Sequence, residues 1–205
     1  MDKNTNLVRK KEMLGLKLRT DPRWVELCQS NIQEILSDHF WAEHKAATNA
    51  MTLIVLNSEK EDLVTEMLRI SQEEVSHAVM VHNIIKMRGL TLQRERKDVY
   101  VGDLLKFLKK DGSRLQAFID RSLFCALIEA RSCERFKVLS ENIADEKLAK
   151  FYYNLMASEA NHYTTFLGFA RQYGGEEKVN ARWKEWLDYE DAIIRNYGKE
   201  EKIHG

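Results

Sequence analysis

Glu74 and His77 stand three residues apart in QEEVSH, and Glu159 and His162 repeat that spacing in SEANH. On an α-helix, positions i and i+3 share one face. Both pairs fall inside apolar-periodic segments, so each Glu and each His points with its hydrophobic neighbours toward a core. A carboxylate in a core is costly unless something compensates its charge. Two more glutamates occupy comparable stripes: Glu43 precedes Glu74 by 31 residues, and Glu129 precedes Glu159 by 30. Each half of the chain therefore reads as a helix carrying one inward Glu, followed by a helix carrying Glu-x-x-His. Four Glu and two His converging from four helices are the donor set of dinuclear carboxylate bundles. Two divalent cations bring four positive charges, which four carboxylates neutralise, and each imidazole adds a nitrogen. Carboxylate and imidazole without thiolate suit iron or manganese, in pairs typically held about 3.5–4 Å apart. A single Glu-x-x-His is usually a surface pair; the duplicated arrangement argues for metal.

Several neighbours compete for a role. Glu73 adjoins Glu74 but lies about 100° around the helix, which makes it a flanking residue. Glu134 rivals Glu129, yet only Glu129 shares a stripe with Ala126 and Cys133. His39 and His44 flank Glu43. His39 is one turn earlier on the same face and could support Glu43, although a packed core histidine is the simpler reading. His82, five residues past His77, faces away.

These side chains need long helices to hold them. One proline and nine glycines in 205 residues leave few places for the turns that sheets demand. The periodicity predicts bundle helices over roughly 22–57, 60–88, 113–140 and 145–173, with a C-terminal helix over 176–197, all in one domain spanning 1–205. The first stripe runs through Ile32, Ile35, Leu36, His39, Glu43, Ala46, Ala50 and Leu53; Ile84 ends the second. Asp21 and Pro22 suit a helix start, Gly89 a stop and Asp145 a cap, while Gly174-Gly175 closes the fourth helix. Between the second and third helices, LTLQRERKDVYVGD, with a short helix expected over 103–110, is too long for a tight turn. It reads as a crossover, giving an all-α four-helix bundle with one long connection.

Charge narrows the partners less sharply. The 32 basic and 32 acidic residues cancel, so no global field points to nucleic acid or membrane. Local basic stretches remain: Arg88, Arg94, Arg96 and Lys97 in the connection, with Lys10 and Lys11 as weaker candidates. Each reads equally as phosphate contacts or as a solvated face. The three cysteines, Cys28, Cys125 and Cys133, form no CxxC pair, which suits reduced thiols in a cytoplasmic protein. No run approaches the roughly 18 apolar residues of a membrane span, and MDKNTNLVRKKE is no signal peptide.

The runs TDPRWVELCQSNIQEILSDHFWAEHKAA, RISQEEVSHAVMV, IEARSCERF and FYYNLMASEANHYTTFL together resemble the bacterial tRNA 2-methylthio-isopentenyladenosine hydroxylase family, MiaE. The likeness covers about residues 14–190. It implies a ferritin-like bundle and a non-haem di-iron monooxygenase that hydroxylates the isopentenyl group of a hypermodified adenosine in tRNA. Dioxygen would be the co-substrate, and two electrons would come from a reductase or ferredoxin. Glu43, Glu74, His77, Glu129, Glu159 and His162 would be the iron ligands. Phe40 and Trp41 are bulkier than the residues the family resemblance leads one to expect there, and Asn161 stands where Arg is expected. The competing expectation is a ferritin-like iron-oxidising or iron-handling protein without an organic substrate.

Overall fold

Helix boundaries follow from a few side chains that compete with, or complete, the backbone hydrogen-bond ladder. The computed structural model describes residues 14–109, 112–197 and 199–204, so Lys10 and Lys11 lie outside the described residues. Among these there are seven helices and no strand. They are α1 (Trp24–Ser30), α2 (Ile32–Leu56), α3 (Glu61–Met87), α4 (Val99–Leu105), α5 (Arg114–Asn142), α6 (Glu146–Gly174) and α7 (Glu176–Ile194). The chain divides into two compact units. One comprises Leu27–Lys97 with Glu201–Ile203; the other comprises Asp98–Glu200 with the residues up to Glu26 and His204.

In the first unit, α2 packs along α3. The helix expected over 22–57 is broken at Asn31, whose backbone leaves the helical region (φ −135°, ψ 53°). Its side-chain amide donates to the Leu27 carbonyl at 2.9 Å, the local competition that makes Asn a poor helix interior residue. Asn57 ends α2 in a similar way, donating from Nδ2 to the Leu53 carbonyl. Helix α3 stops where Gly89 takes φ +66°. The Gly89 and Leu90 N–H groups then donate to the Lys86 and Ile85 carbonyls, a Schellman closure that favours glycine. The buried stripe runs through Ile35, Leu36, His39, Glu43, Ala47, Ala50 and Leu53 of α2. It meets Leu63, Met67, Ile70, Glu74, His77, Val81 and Ile85 of α3. Ala47 and Ile85 thus take the inward positions expected of Ala46 and Ile84, because a 3.6-residue period drifts across a long helix.

The connection after α3 lies along α2 on a row spaced by four. Gln33 Oε1 accepts from Thr91 N, Ser37 Oγ from Gln93 N, Trp41 Nε1 donates to the Gln93 carbonyl, and Lys45 pairs with Glu95. The Thr91 N–H and both backbone groups of Gln93 thereby find partners without a sheet.

In the second unit, α5 packs along α6, and α7 touches both. Ser113 caps α5 by accepting from Gln116 N; Asp145 caps α6 by accepting from Lys147 N and Leu148 N. At the end of α6, a Cβ on Gly174 would come within 2.6 Å of Ile119 Cδ1 and 2.7 Å of Val179 Cγ2, so only glycine permits that approach. Asp98 caps α4 by accepting from Val101 N, and Tyr100 and Leu104 bury its inner face. The short helix therefore sits at 99–105 rather than 103–110: its start is set by Asp98 and by the i, i+4 apolar pair.

Beneath α7 lies an ionic cluster. Arg131, fully buried, donates to Glu134, to Glu190 and to the Leu18 carbonyl. Glu134 also accepts from the N–H and hydroxyl of Thr20, and Glu190 accepts from Tyr100 Oη. One guanidinium thus compensates two buried carboxylates. Removing it would strand both, and stranding buried charge costs about 3–5 kcal/mol. Arg131→Met is expected to lower unfolding free energy by about that much in urea titrations followed by circular dichroism.

Candidate metal centre

The α2–α3 pair buries three potential metal ligands and one supporting side chain. Glu43 (4% exposed), Glu74 (0%) and His77 (6%) each offer a ligand atom within 4.8 Å of the others. His77 Nδ1 lies 3.4 Å from Glu43 Oε2 and 3.4 Å from Glu74 Oε2. His39 Nε2 lies 2.6 Å from Glu43 Oε1. Burial raises the cost of a charge on Glu43, but hydrogen bonding with Glu74, His39 and His77 holds its carboxyl well below the usual range. Burial likewise disfavours a charged His77, yet Glu43 and Glu74 override it and push the imidazole up to about 11. The proton on His77 thus offsets part of the carboxylate charge. A divalent cation is the natural replacement, since metal binding displaces protons from such ligands.

The α5–α6 pair repeats the arrangement. Glu129, Glu159 and His162 are buried, and their ligand atoms also lie within 4.8 Å of one another. His162 Nδ1 stands 3.9 Å from Glu129 Oε2, and its Nε2 stands 3.5 Å from Ser158 Oγ. In both pairs the donors are carboxylate oxygens and imidazole nitrogens, hard to borderline ligands that fit iron or manganese.

The rival residues have other occupations. Glu134 is buried but committed to Arg131 and Thr20. Glu73 is half-exposed and pairs with Arg69 one turn away. His44 and His82 are exposed. His39 is the side chain whose part the periodicity understated: its position four residues before Glu43 was visible, but not that its ring reaches the carboxylate.

The basic residues of the connection separate into two kinds. Arg94 and Lys97 are exposed, and Arg88 is half-buried. Arg96 instead pairs with Glu201, donates to the Glu201 carbonyl and approaches Asp38 at 3.8 Å. That engagement follows from contacts with the C-terminal tail, whose Ile203 N–H also donates to Asp38. No helix among the described residues is long and apolar enough to cross a membrane.

Comparison with known proteins bears on this geometry. The profile of the tRNA-(MS[2]IO[6]A)-hydroxylase (MiaE) family matches residues 6–205. A Pseudomonas putida protein named tRNA 2-(methylsulfanyl)-N(6)-isopentenyladenosine(37) hydroxylase is 34% identical over 183 residues, covering 86% of this chain and 88% of its own. A Salmonella typhimurium protein of the same name is 31% identical over 142 residues, which are 69% of this chain and 51% of the relative. Among solved structures, "Protein 43 with aldehyde deformylating oxygenase activity from Synechococcus" superposes with a TM-score of 0.86 at 28% identity, covering 93% of this chain and 95% of that one. The all-α, ferritin-like class expected from the sequence is the fold of that neighbour. With a family profile spanning nearly its whole length and a relative 34% identical across most of it, the chain belongs to the MiaE family of tRNA hydroxylases.

Proposed function

We propose that the chain is one ferritin-like domain whose six buried side chains hold a dinuclear iron centre. We propose further that it hydroxylates the isopentenyl group of 2-methylthio-N6-isopentenyladenosine in tRNA. The observation that carries this reading is the duplicated set, Glu43/Glu74/His77 and Glu129/Glu159/His162, buried and converging within each helix pair. The names of the relatives supply the substrate.

The overall reaction balances as substrate C–H plus dioxygen, two electrons and two protons giving substrate C–OH and water. The electrons require an external reductase or ferredoxin, and the tRNA substrate suits a cytoplasmic setting. When bound, the iron pair supplies the redox chemistry that activates dioxygen. What the chain supplies is ligation and exclusion of water. The four carboxylates neutralise two divalent ions, and His77 and His162 each give one a nitrogen. Ala47 and Ile70 stand one helical turn from Glu43 and Glu74, and Ala126 and Leu155 one turn from Glu129 and Glu159; all are buried. Apolar walls of this kind keep water from quenching oxygen chemistry. Arg94 and Lys97, exposed in the connection, are the proposed phosphate contacts, with Arg88 beside them; Arg96 serves the tail instead.

The ligand assignment separates Glu129 from Glu134. Glu129→Ala protein, reconstituted with ferrous iron, is expected to hold markedly less than the two irons per chain of the parent. Glu134→Ala should keep its iron and lose stability through Arg131. Iron analysis beside urea denaturation checks both, and the reverse pattern would refute the assignment.

The substrate reading is tested by nucleoside mass spectrometry of tRNA from cells with and without the protein. The hydroxylated nucleoside should disappear with the gene and return with the parent, but not with Glu129→Ala. Arg94→Ala/Lys97→Ala protein should retain iron and bind tRNA more weakly, with a shallower salt dependence. Unchanged nucleosides beside rapid ferrous oxidation by the purified protein would favour iron handling without an organic substrate.

A further inference from the structure

The two halves of the proposed site match in their ligands and differ one turn earlier. Four residues before Glu43 is His39; four residues before Glu129 is Cys125. His39 is fully buried, and its Nε2 stands 2.6 Å from Glu43 Oε1. A carboxylate oxygen can only accept, so Nε2 carries the hydrogen and donates it. The other oxygen of Glu43, Oε2, lies on the side of His77, 3.4 Å from its Nδ1. The two oxygens of Glu43 thus have different neighbours: Oε1 faces His39, outside the proposed ligand set, and Oε2 faces His77, within it. Cys125 is also buried, but a thiol is a weak donor and is shorter than an imidazole. The repeat that duplicates the ligands thus places a thiol, not an imidazole, at this position of the second half.

We infer that His39 is a positioning residue that occupies Oε1 of Glu43, presents Oε2 to the metal, and makes the two metal positions unequal. The inference rests on the dinuclear reading above but not on the tRNA substrate. Hydrogen bonds to a ligand's outer atom orient it and raise its effective affinity, and losing one typically costs about 10–100-fold in metal binding. Because Glu129 lacks a histidine at the matching position, the effect should fall on one of two binding steps. A histidine present merely to fill the core would spare both steps or weaken both together.

The test uses full-length metal-free protein titrated anaerobically with ferrous iron, following heat and stoichiometry. His39→Leu keeps most of the bulk and removes the N–H; His39→Gln keeps a side-chain N–H donor. Cys125→Ala is the control from the other half, and circular dichroism establishes that each variant is folded. The parent should take up two ions. His39→Leu should bind one ion as the parent does and the other about 10–100-fold more weakly. His39→Gln should recover much of that loss, and Cys125→Ala should match the parent at both steps. Parental binding by His39→Leu, equal weakening of both steps, or a Gln variant no better than Leu would each overturn the inference. A parent that binds no metal would overturn the dinuclear site and this inference with it. Loss of tRNA hydroxylation with two-step binding intact would leave His39 in place and remove only the substrate.

Discussion

Buried negative charge without a matching cation is the constraint on which the rest of this molecule depends. Each helix pair places two glutamates and one histidine where water cannot reach them. Solvation cannot stabilise those carboxylates, so protons or metal ions must. In the α2–α3 pair the side chains themselves offset part of that charge. Burial opposes a charge on Glu43, but hydrogen bonding with Glu74, His39 and His77 outweighs it, and His77 holds a proton far above the usual histidine range. The long, regular helices follow from the same demand. Three inward polar side chains per pair must be held in fixed phase, and within each pair helices of 25–29 residues do so with ordinary aliphatic side chains above and below.

The helix that carries Glu129 shows how closely site and scaffold are interleaved. In IEARSCERF, Glu129 faces the ligands, whereas Arg131 and Glu134 serve the ionic cluster with Glu190, Thr20 and the Leu18 carbonyl. Arg135, also buried, lies 4.2 Å from the centroid of the Trp24 ring. Residues that make the motif distinctive thus do so for two separate reasons. One of its two glutamates joins the buried Glu159–His162 group; the other fixes the chain that leads into the first helix. A parallel division holds in α2. The face with His39 and Glu43 looks inward, while the row Gln33, Ser37, Trp41 and Lys45 binds the long connection.

Periodicity made the inward stripes legible because a ligand on a helix obeys the same 3.6-residue rule as the leucines beside it. That is why Glu129 was distinguishable from Glu134, five residues on, and why His82 could be turned outward. The features that escaped were those no period encodes. Asn31 breaks its helix through a side-chain bond to the Leu27 carbonyl, although Asn49 stands inside α2 without interrupting it. The short helix expected over 103–110 begins instead at Val99, because Asp98 caps it and Tyr100 and Leu104 bury its inner face. Arg96, grouped with its basic neighbours by composition, is drawn to Glu201 across more than a hundred residues of sequence. The tail contributes further long-range contacts of this kind: Ile203 is buried, and His204 meets Ser132 and Asp98. Pairings between distant segments leave no trace in spacing.

The central claim is that two similar half-sets of ligands serve one coupled metal pair. Mössbauer and electron paramagnetic resonance spectra of the protein loaded with isotopically enriched iron and oxidised in air test it most directly. Carboxylate-bridged ions held about 3.5–4 Å apart should appear as two ferric ions per chain, antiferromagnetically coupled and silent in the resonance experiment. One iron per chain, or two with the intense signal of isolated high-spin ferric ions, would contradict the account.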